Sequence, residues 1–211
     1  MIVRRYTVGM TILPAISRVK LRTMTTESGR LCGVDEAGRG PLAGPVTAAA
    51  VILPDSFPVD ILDDSKRLSE TRRLKTRSVI VTRAVWGVGW ASHIEIDRVN
   101  ILQATFLAME RAIHALSVLP GSIVVDGSMV PTFRSIPGVH VTAEPKADSR
   151  IPEVMAASIL AKTARDWWMI HYGVLEPAYD YPAHKGYPTS DHRQRVAQFG
   201  PARIQRRSFR T

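Results

Sequence analysis

Cysteine is almost missing: Cys32 is the single one in 211 residues. That excludes an intrachain disulfide and a cysteine-ligated zinc site, and it fits a reducing, cytoplasmic setting. Long apolar runs are missing too, and none reaches the ~18 residues of a membrane span. No Walker loop occurs. Gly38-x-Gly40-x-x-x-Gly44 misses the dinucleotide fingerprint by one residue, and no helix opens on it. No His-x-x-x-His pair, internal repeat or second domain is evident. Acid is missing from both ends, with none before Glu27 and none after Asp191.

What is present is basic. The net charge is +9 and the pI near 10.2, which favours a polyanionic partner, nucleic acid first and an anionic membrane second. Arg4, Arg5, Arg18, Lys20 and Arg22 carry half of that excess in a segment without a clean apolar period. Residues 1–28 are therefore expected to be a basic, disordered leader or an over-long start, with Met24 as an alternative first residue. A transit peptide is the competing reading. Residues 29–211 are long enough for one domain with a full core.

The central stretch is Leu31-Cys32-Gly33-Val34-Asp35-Glu36-Ala37-Gly38-Arg39-Gly40-Pro41-Leu42-Ala43-Gly44-Pro45-Val46. It reads as strand, glycine-rich turn, strand, with two adjacent carboxylates at the strand end. Neighbouring strand residues point to opposite faces. Asp35 and Glu36 can share one site only if regular strand geometry stops about there, which Gly38, Gly40 and Gly44 allow. By chemistry alone this is a metal or phosphate site, weighed against a solvated acid pair beside an ordinary turn.

The rest of the chain alternates strands and helices. Strands are expected at 30–35, 46–53, 85–91, 123–127 and 139–143. Helices are expected from Ser69 as cap to about Ala84, at Ile94 to Leu116, at Pro152 to Tyr172 and at Ser190 to Gln198. Leu102, Phe106, Met109, Ile113 and Leu116 form the core stripe of the second helix. Asp126 ends a short buried strand, where open α/β sheets place their sites. Asp148 sits just before a helix N-terminus, which favours its charged form. Lys66 and Arg67 precede a helix and suit a phosphate clamp, against a solvated loop. His184, Lys185 and Tyr187 lie in a loop and suit a nucleic-acid backbone and sugar face. Asp166 is a metal ligand or, as we favour, the i,i+4 partner of Lys162.

Taken together these strings resemble the bacterial type 2 ribonucleases H (ribonuclease HII), over about Leu31 to Phe209. The Asp35-Glu36 to Gly40 string is that family's signature. Asp64 to Ser69, Asn100 to Thr105, Lys146 to Asp148, and His184 to Thr189 follow in family order. Arg206 to Phe209 is similar to its ending, although Gln205 stands where the family has histidine. The resemblance implies a ribonuclease H-like α/β fold: a mixed five-stranded sheet flanked by helices, with a C-terminal helical and loop extension. The first three strands would be antiparallel, the fourth parallel and beside the first.

The resemblance also implies that Asp35, Glu36, Asp126 and Asp148 are catalytic metal ligands, and that Gly38-Arg39-Gly40 reads the substrate ribose. Carboxylate-only ligation selects hard cations, Mg²⁺ or Mn²⁺, and two such ions support in-line phosphoryl displacement. Implied substrates are the RNA strand of RNA–DNA hybrids and single ribonucleotides in duplex DNA, leaving 3′-hydroxyl and 5′-phosphate ends. Tyr187 would stack on the deoxyribose after the ribonucleotide. The protein is expected to act as a monomer without a membrane, and no motif in the sequence supports a sliding-clamp contact. Two alternatives compete: a metal-dependent nuclease of this fold with another substrate, and a catalytically silent nucleic-acid-binding module.

Overall fold

The computed structural model describes residues 29–63, 68–133, 136 and 138–209. The expected leader, Lys66 and Arg67 lie outside the described residues. The strands are β1 (Leu31–Ala37), β2 (Val46–Ile52), β3 (Val85–Ala91), β4 (Ser122–Asp126) and β5 (His140–Glu144). Helices α1 (Glu70–Arg83) and α2 (His93–His114) flank β3, and α3 (Pro152–Tyr172) follows β5. The extension holds α4 (Tyr181–His184), one turn long, and α5 (Ser190–Phe199). The sheet order is β3-β2-β1-β4-β5. Strand β2 is antiparallel to both β1 and β3, whereas β4 runs parallel to β1 and to β5. This is the mixed five-stranded sheet the sequence led us to expect.

Strand β2, Val-Thr-Ala-Ala-Ala-Val-Ile, is buried throughout. Its alanines leave room for helices on both faces. Cys32, Val34, Ala48, Ala50, Ile123 and Val125 pack with α2 on one face. Ala37, Ala49 and Val51 pack with α1 and α3 on the other, where Val124 meets Val154. The alternation in β1 therefore sends Gly33, Asp35 and Ala37 toward α3 and sends Glu36 to the α2 side. Gly33 is where α3 comes closest. An added Cβ there would sit 2.2 Å from the Glu153 carbonyl carbon, inside any permitted contact.

Three expectations change. Strand β1 does not stop at Asp35. Its pairing with β2 continues to Ala37 opposite Thr47, so the ladder holds both acids in regular geometry. The buried line of α2 runs through Ala104, Ala108, Met109, Ala112 and Ile113, with Phe106 only half-buried. Small residues on helix and strand bring the backbones together, so Ala104, Ala108 and Ala112 take the core beside Met109, Ile113 and Leu116 of the expected stripe, while Leu102 and Phe106 stay half-buried. Finally, α2 is broken at Asn100, whose φ is 70° and ψ 166°. The Asn100 carboxamide oxygen accepts from Leu102 N (3.0 Å) and Gln103 N (3.1 Å), capping the second segment as asparagine does at helix starts.

That break can be tested. Asn100→Ala loses the cap and, as asparagine does, keeps a Cβ at positive φ, so destabilisation of about 1 kcal/mol is expected. Asn100→Gly should lose less than half of that, because glycine tolerates the angle. Equal denaturation midpoints for both variants would show that the cap, and not the angle, sets the cost. No helix among the described residues is long and apolar enough to cross a membrane.

Candidate metal and nucleic-acid site

The carboxyl ends of β1 and β4 lie side by side, paired up to Val34 and Val125. Asp35 and Asp126 come next on each strand, on the α3 face. Asp35 is 4% exposed. Its carboxylate accepts from its neighbour, Glu36 N, at 2.6 Å and from the Ser158 hydroxyl of α3. Burial pushes its pKa well up, and the charges of Glu36 and Asp126 push the same way against the hydrogen bonds. Asp126 Oδ1 accepts from Ala147 N at 2.8 Å. This ties the end of β4 to a 3₁₀ turn, Ala147–Ser149, that carries Asp148.

Asp148 is buried in that turn, and the cap of α3 is Ile151, without a side-chain bond. Asp148 sits just before α3, as its place in the sequence indicates, but does not cap it. Its backbone N approaches Asp126 Oδ1 at 3.5 Å, so the two acids share one corner. Glu36 faces the other side of the strand, 3.5 Å from exposed Arg39.

Among the described residues no three of these carboxylates converge into a ready-made ion cage. They surround the ends of two strands instead, which is where like charges come to rest when each is held by its own backbone. The donor set nevertheless suits a hard divalent cation. It is all oxygen, with no thiol or imidazole, and a cation would relieve the mutual repulsion that burdens Asp35. Asp166 lies apart from the four, its Oδ1 2.9 Å from Lys162 Nζ, as the i,i+4 reading requires.

The glycine-rich turn is held from beneath by two buried arginines, both fully enclosed. Arg165 of α3 donates to Pro45 O (2.9 Å), Ala43 O (3.2 Å) and Lys185 O (3.1 Å). Arg206 donates to Gly38 O (2.6 Å), Arg39 O (2.9 Å), Gly44 O (2.9 Å) and Pro45 O (3.1 Å). Burial lowers their pKa values, to about 10 for Arg165 and about 9 for Arg206, where the Arg165 charge adds. Both stay cationic at neutral pH and give the turn a positive floor. Gly38 is required there. Its φ is 96°, and a Cβ would lie 2.0 Å from Arg165 Nε.

Gly40 has no such internal reason: it is exposed, and an added Cβ meets nothing within 4 Å. It is absent from the positive-φ glycines, so the sharp exit rests on Gly38 and Gly44 alone.

His184 is no open donor. It is 7% exposed, accepts from Gly186 N at Nδ1 (3.1 Å) and faces Tyr179 O from Nε2 (2.7 Å). The Nδ1 bond assigns the proton to Nε2. The ring stacks on His192 at 4.3 Å. A local motif reports neighbours, not burial, and here α4 and α5 close over the ring. Lys185 Nζ donates to Pro182 O, so its ammonium is turned to its own loop. Tyr187 is half-buried, and its ring lies within reach of Lys162 Nζ (5.4 Å) and Arg165 Cζ (5.6 Å).

Sequence reasoning missed Ser158, Arg165 and Arg206 as parts of this site. The visible signal was weak: a serine within the alanine-rich face of α3, and arginines beside motifs read for other residues.

Comparison with known proteins agrees with this fold. The ribonuclease HII family model matches residues 32–211. Ribonuclease HII of Treponema denticola is 50% identical over 194 residues, covering 85% of this chain and 97% of that one. The Azoarcus ribonuclease HII is 48% identical over 198 residues, covering 93% and 91%. The structure is similar to ribonuclease HII of Archaeoglobus fulgidus, solved in complex with PCNA. Its TM-score is 0.71 at 25% identity, covering 86% of this chain and 96% of that one. A match across nearly all of the described fold, on a sheet whose acids end β1 and β4, means that this chain belongs to the ribonuclease HII family, whose members are endonucleases of the ribonuclease H type.

Proposed function

We propose that the protein cleaves the RNA strand of RNA–DNA hybrids and incises duplex DNA on the 5′ side of single embedded ribonucleotides. The products would be a 3′-hydroxyl and a 5′-phosphate. The observation that carries this reading is the buried, mutually repelling set at the carboxyl ends of the inner strands β1 and β4, Asp35 against Glu36 and Asp126. Carboxylates held this way serve little purpose in a dry core. In this reading Asp35, Asp126 and Asp148 would hold two divalent ions, Mg²⁺ or Mn²⁺, from the α3 side, and Glu36, which the regular strand turns to the other face, would join them by swinging its side chain past the end of β1. Such ions supply an activated water and charge stabilisation at the leaving oxygen.

The chain's own groups do the rest. The cationic floor under the turn attracts the phosphate backbone. Gly40, with open space where its Cβ would be, admits a ribose close to the backbone, where the 2′-hydroxyl is both donor and acceptor. Arg39 is exposed and, among the described residues, its side chain makes one long contact, to Glu36, so it is available to a phosphate. Lys66 and Arg67 keep their expected role as phosphate contacts. Tyr187 offers its ring from the opposite loop to the sugar that follows the ribonucleotide.

The test is magnesium-dependent cleavage of a DNA duplex carrying one ribonucleotide, with the product ends mapped. Incision elsewhere than 5′ of the ribonucleotide, or none, would overturn the substrate assignment. In the same assay Tyr187→Ala should lower single-ribonucleotide cleavage at least about 10²-fold while hybrid binding changes little, as expected when only transition-state geometry is lost. Tyr187→Phe should fall between, since the ring survives. Equal losses on single-ribonucleotide and continuous-RNA substrates would leave Tyr187 no part in reading the junction.

A further inference from the structure

We propose that Arg165 is a positioning residue that couples the Gly38-Arg39-Gly40 turn to Tyr187, so that both walls of the ribonucleotide-reading site move as one piece. The inference rests on the substrate reading above. Its basis is the distribution of one guanidinium's bonds. Two go to carbonyls that close the glycine-rich turn, at Ala43 and Pro45, and the third goes to Lys185 on the loop bearing Tyr187. The Tyr187 ring then lies against the same guanidinium at 5.6 Å.

One backbone bond joins the loops at the same level, Leu42 N to Gly186 O at 2.8 Å. The absence of a side chain at Gly38 leaves the space that Arg165 fills. Lys162, whose Nζ lies 5.4 Å from the same ring, is itself held by Asp166. Residues 162, 165 and 166 of α3 therefore form a cradle that sets where Tyr187 stands relative to the turn.

A buried cation is a costly way to fill space, because an apolar side chain of similar volume avoids the desolvation. Among the described residues no carboxylate accepts a hydrogen bond from Arg165. Its charge is met by carbonyl oxygens from two loops far apart in sequence. A planar fork with five donors can bridge three fixed acceptors, and an ammonium cannot. Geometry rather than charge is therefore what this position supplies. Arg206 is different, since its acceptors all lie within residues 38–45. It shapes the turn but does not link it to Tyr187.

The experiment compares Arg165→Lys, Tyr187→Ala and the double variant. It measures kcat and KM on a duplex with one ribonucleotide and on one with a continuous RNA strand, and thermal unfolding of each protein. Folded Arg165→Lys should lose about 10²-fold in kcat on the single ribonucleotide, with KM nearly unchanged and a clearly smaller loss on continuous RNA. The double variant should discriminate no worse than Tyr187→Ala alone. A folded Arg165→Lys with wild-type discrimination, while Tyr187→Ala has lost it, overturns the proposal. So do equal fractional losses on both substrates.

Amide exchange in the unaltered protein gives a second reading that needs no variant. Leu42, Gly44 and Tyr187 should exchange through one common opening with the same denaturant dependence. Exchange of Tyr187 by a separate, lower-energy opening overturns the coupling even if Arg165→Lys fails to fold. If Tyr187→Ala leaves discrimination intact, the junction-reading role falls, and common exchange still decides whether Arg165 couples the loops.

Discussion

Replacing Asp35 by asparagine is expected to abolish cleavage and, with divalent metal removed, to raise the melting temperature. The two effects share one cause. Asp35 is enclosed at the end of β1 with Glu36 and Asp126 pressing on its charge. Its folded pKa lies above the unfolded value, so at neutral pH the ionised form works against folding. Asparagine removes the charge and keeps an oxygen for Glu36 N and the Ser158 hydroxyl.

The gain is read as the difference in melting temperature between the two metal-free proteins. The sign fixes the pH dependence. Near pH 4, where the unfolded carboxyl itself protonates, the two proteins should melt together. The difference should open as pH rises and be largest at neutrality. Cleavage, by contrast, should fall at least about 10³-fold, the scale on which loss of charge stabilisation acts. Near-normal turnover at ordinary magnesium would remove Asp35 from the reaction, and a lower melting temperature would make it a structural residue.

Part of this was legible in the chain before its fold. Short apolar runs bounded by glycine and proline placed the strands, and Pro152 marked the start of α3. Asp35 and Asp126 stand out because each ends an apolar run, and strand ends are where such sheets expose side chains. The break at Asn100 was not legible as a break. A continuous apolar period crosses it, and only the tertiary fold shows that the carboxamide caps a second segment.

The arginines were harder still. Arg206 meets acceptors more than 160 residues away in sequence, and those acceptors are carbonyls, which every residue has. No pattern of residue types announces such a bond. His184 shows the converse. Its neighbours suggest a surface for sugar and phosphate, yet both ring nitrogens are taken by backbone. A motif specifies which residues adjoin, while burial is decided by elements that arrive later in the chain.

Arg206→Ala should be the most damaging single change to the fold. The segment after α5 has little regular structure of its own. It is joined to the domain by the Ala43–Gln205 bridge, by Gly44 N to Ile204 O and Arg206 N to Leu42 O, and by the four carbonyl bonds of Arg206. The Phe209 ring covers the guanidinium at 5.0 Å. Asp97 of α2 accepts from Arg207 N and Ser208 N, each at 2.9 Å, and from Ser208 Oγ at 2.6 Å. Alanine would strand up to three carbonyls, those of Gly38, Arg39 and Gly44, since Pro45 O keeps Arg165 Nε; each is worth about 1–3 kcal/mol when unpaired.

Relaxation will recover some of this, so a net loss above about 3 kcal/mol is expected, a fall of about 6–12 °C in melting temperature. Arg206→Lys should be intermediate, because one ammonium keeps the charge and meets fewer acceptors. Arg207→Ala, at an exposed side chain, should stay within about 0.5 kcal/mol of wild type. Denaturant unfolding of the three variants decides it. If Arg206→Ala and Arg207→Ala prove equally mild, the C-terminal segment does not hold the turn. In that case the positive floor beneath Gly38 to Gly40 must be maintained by Arg165 alone.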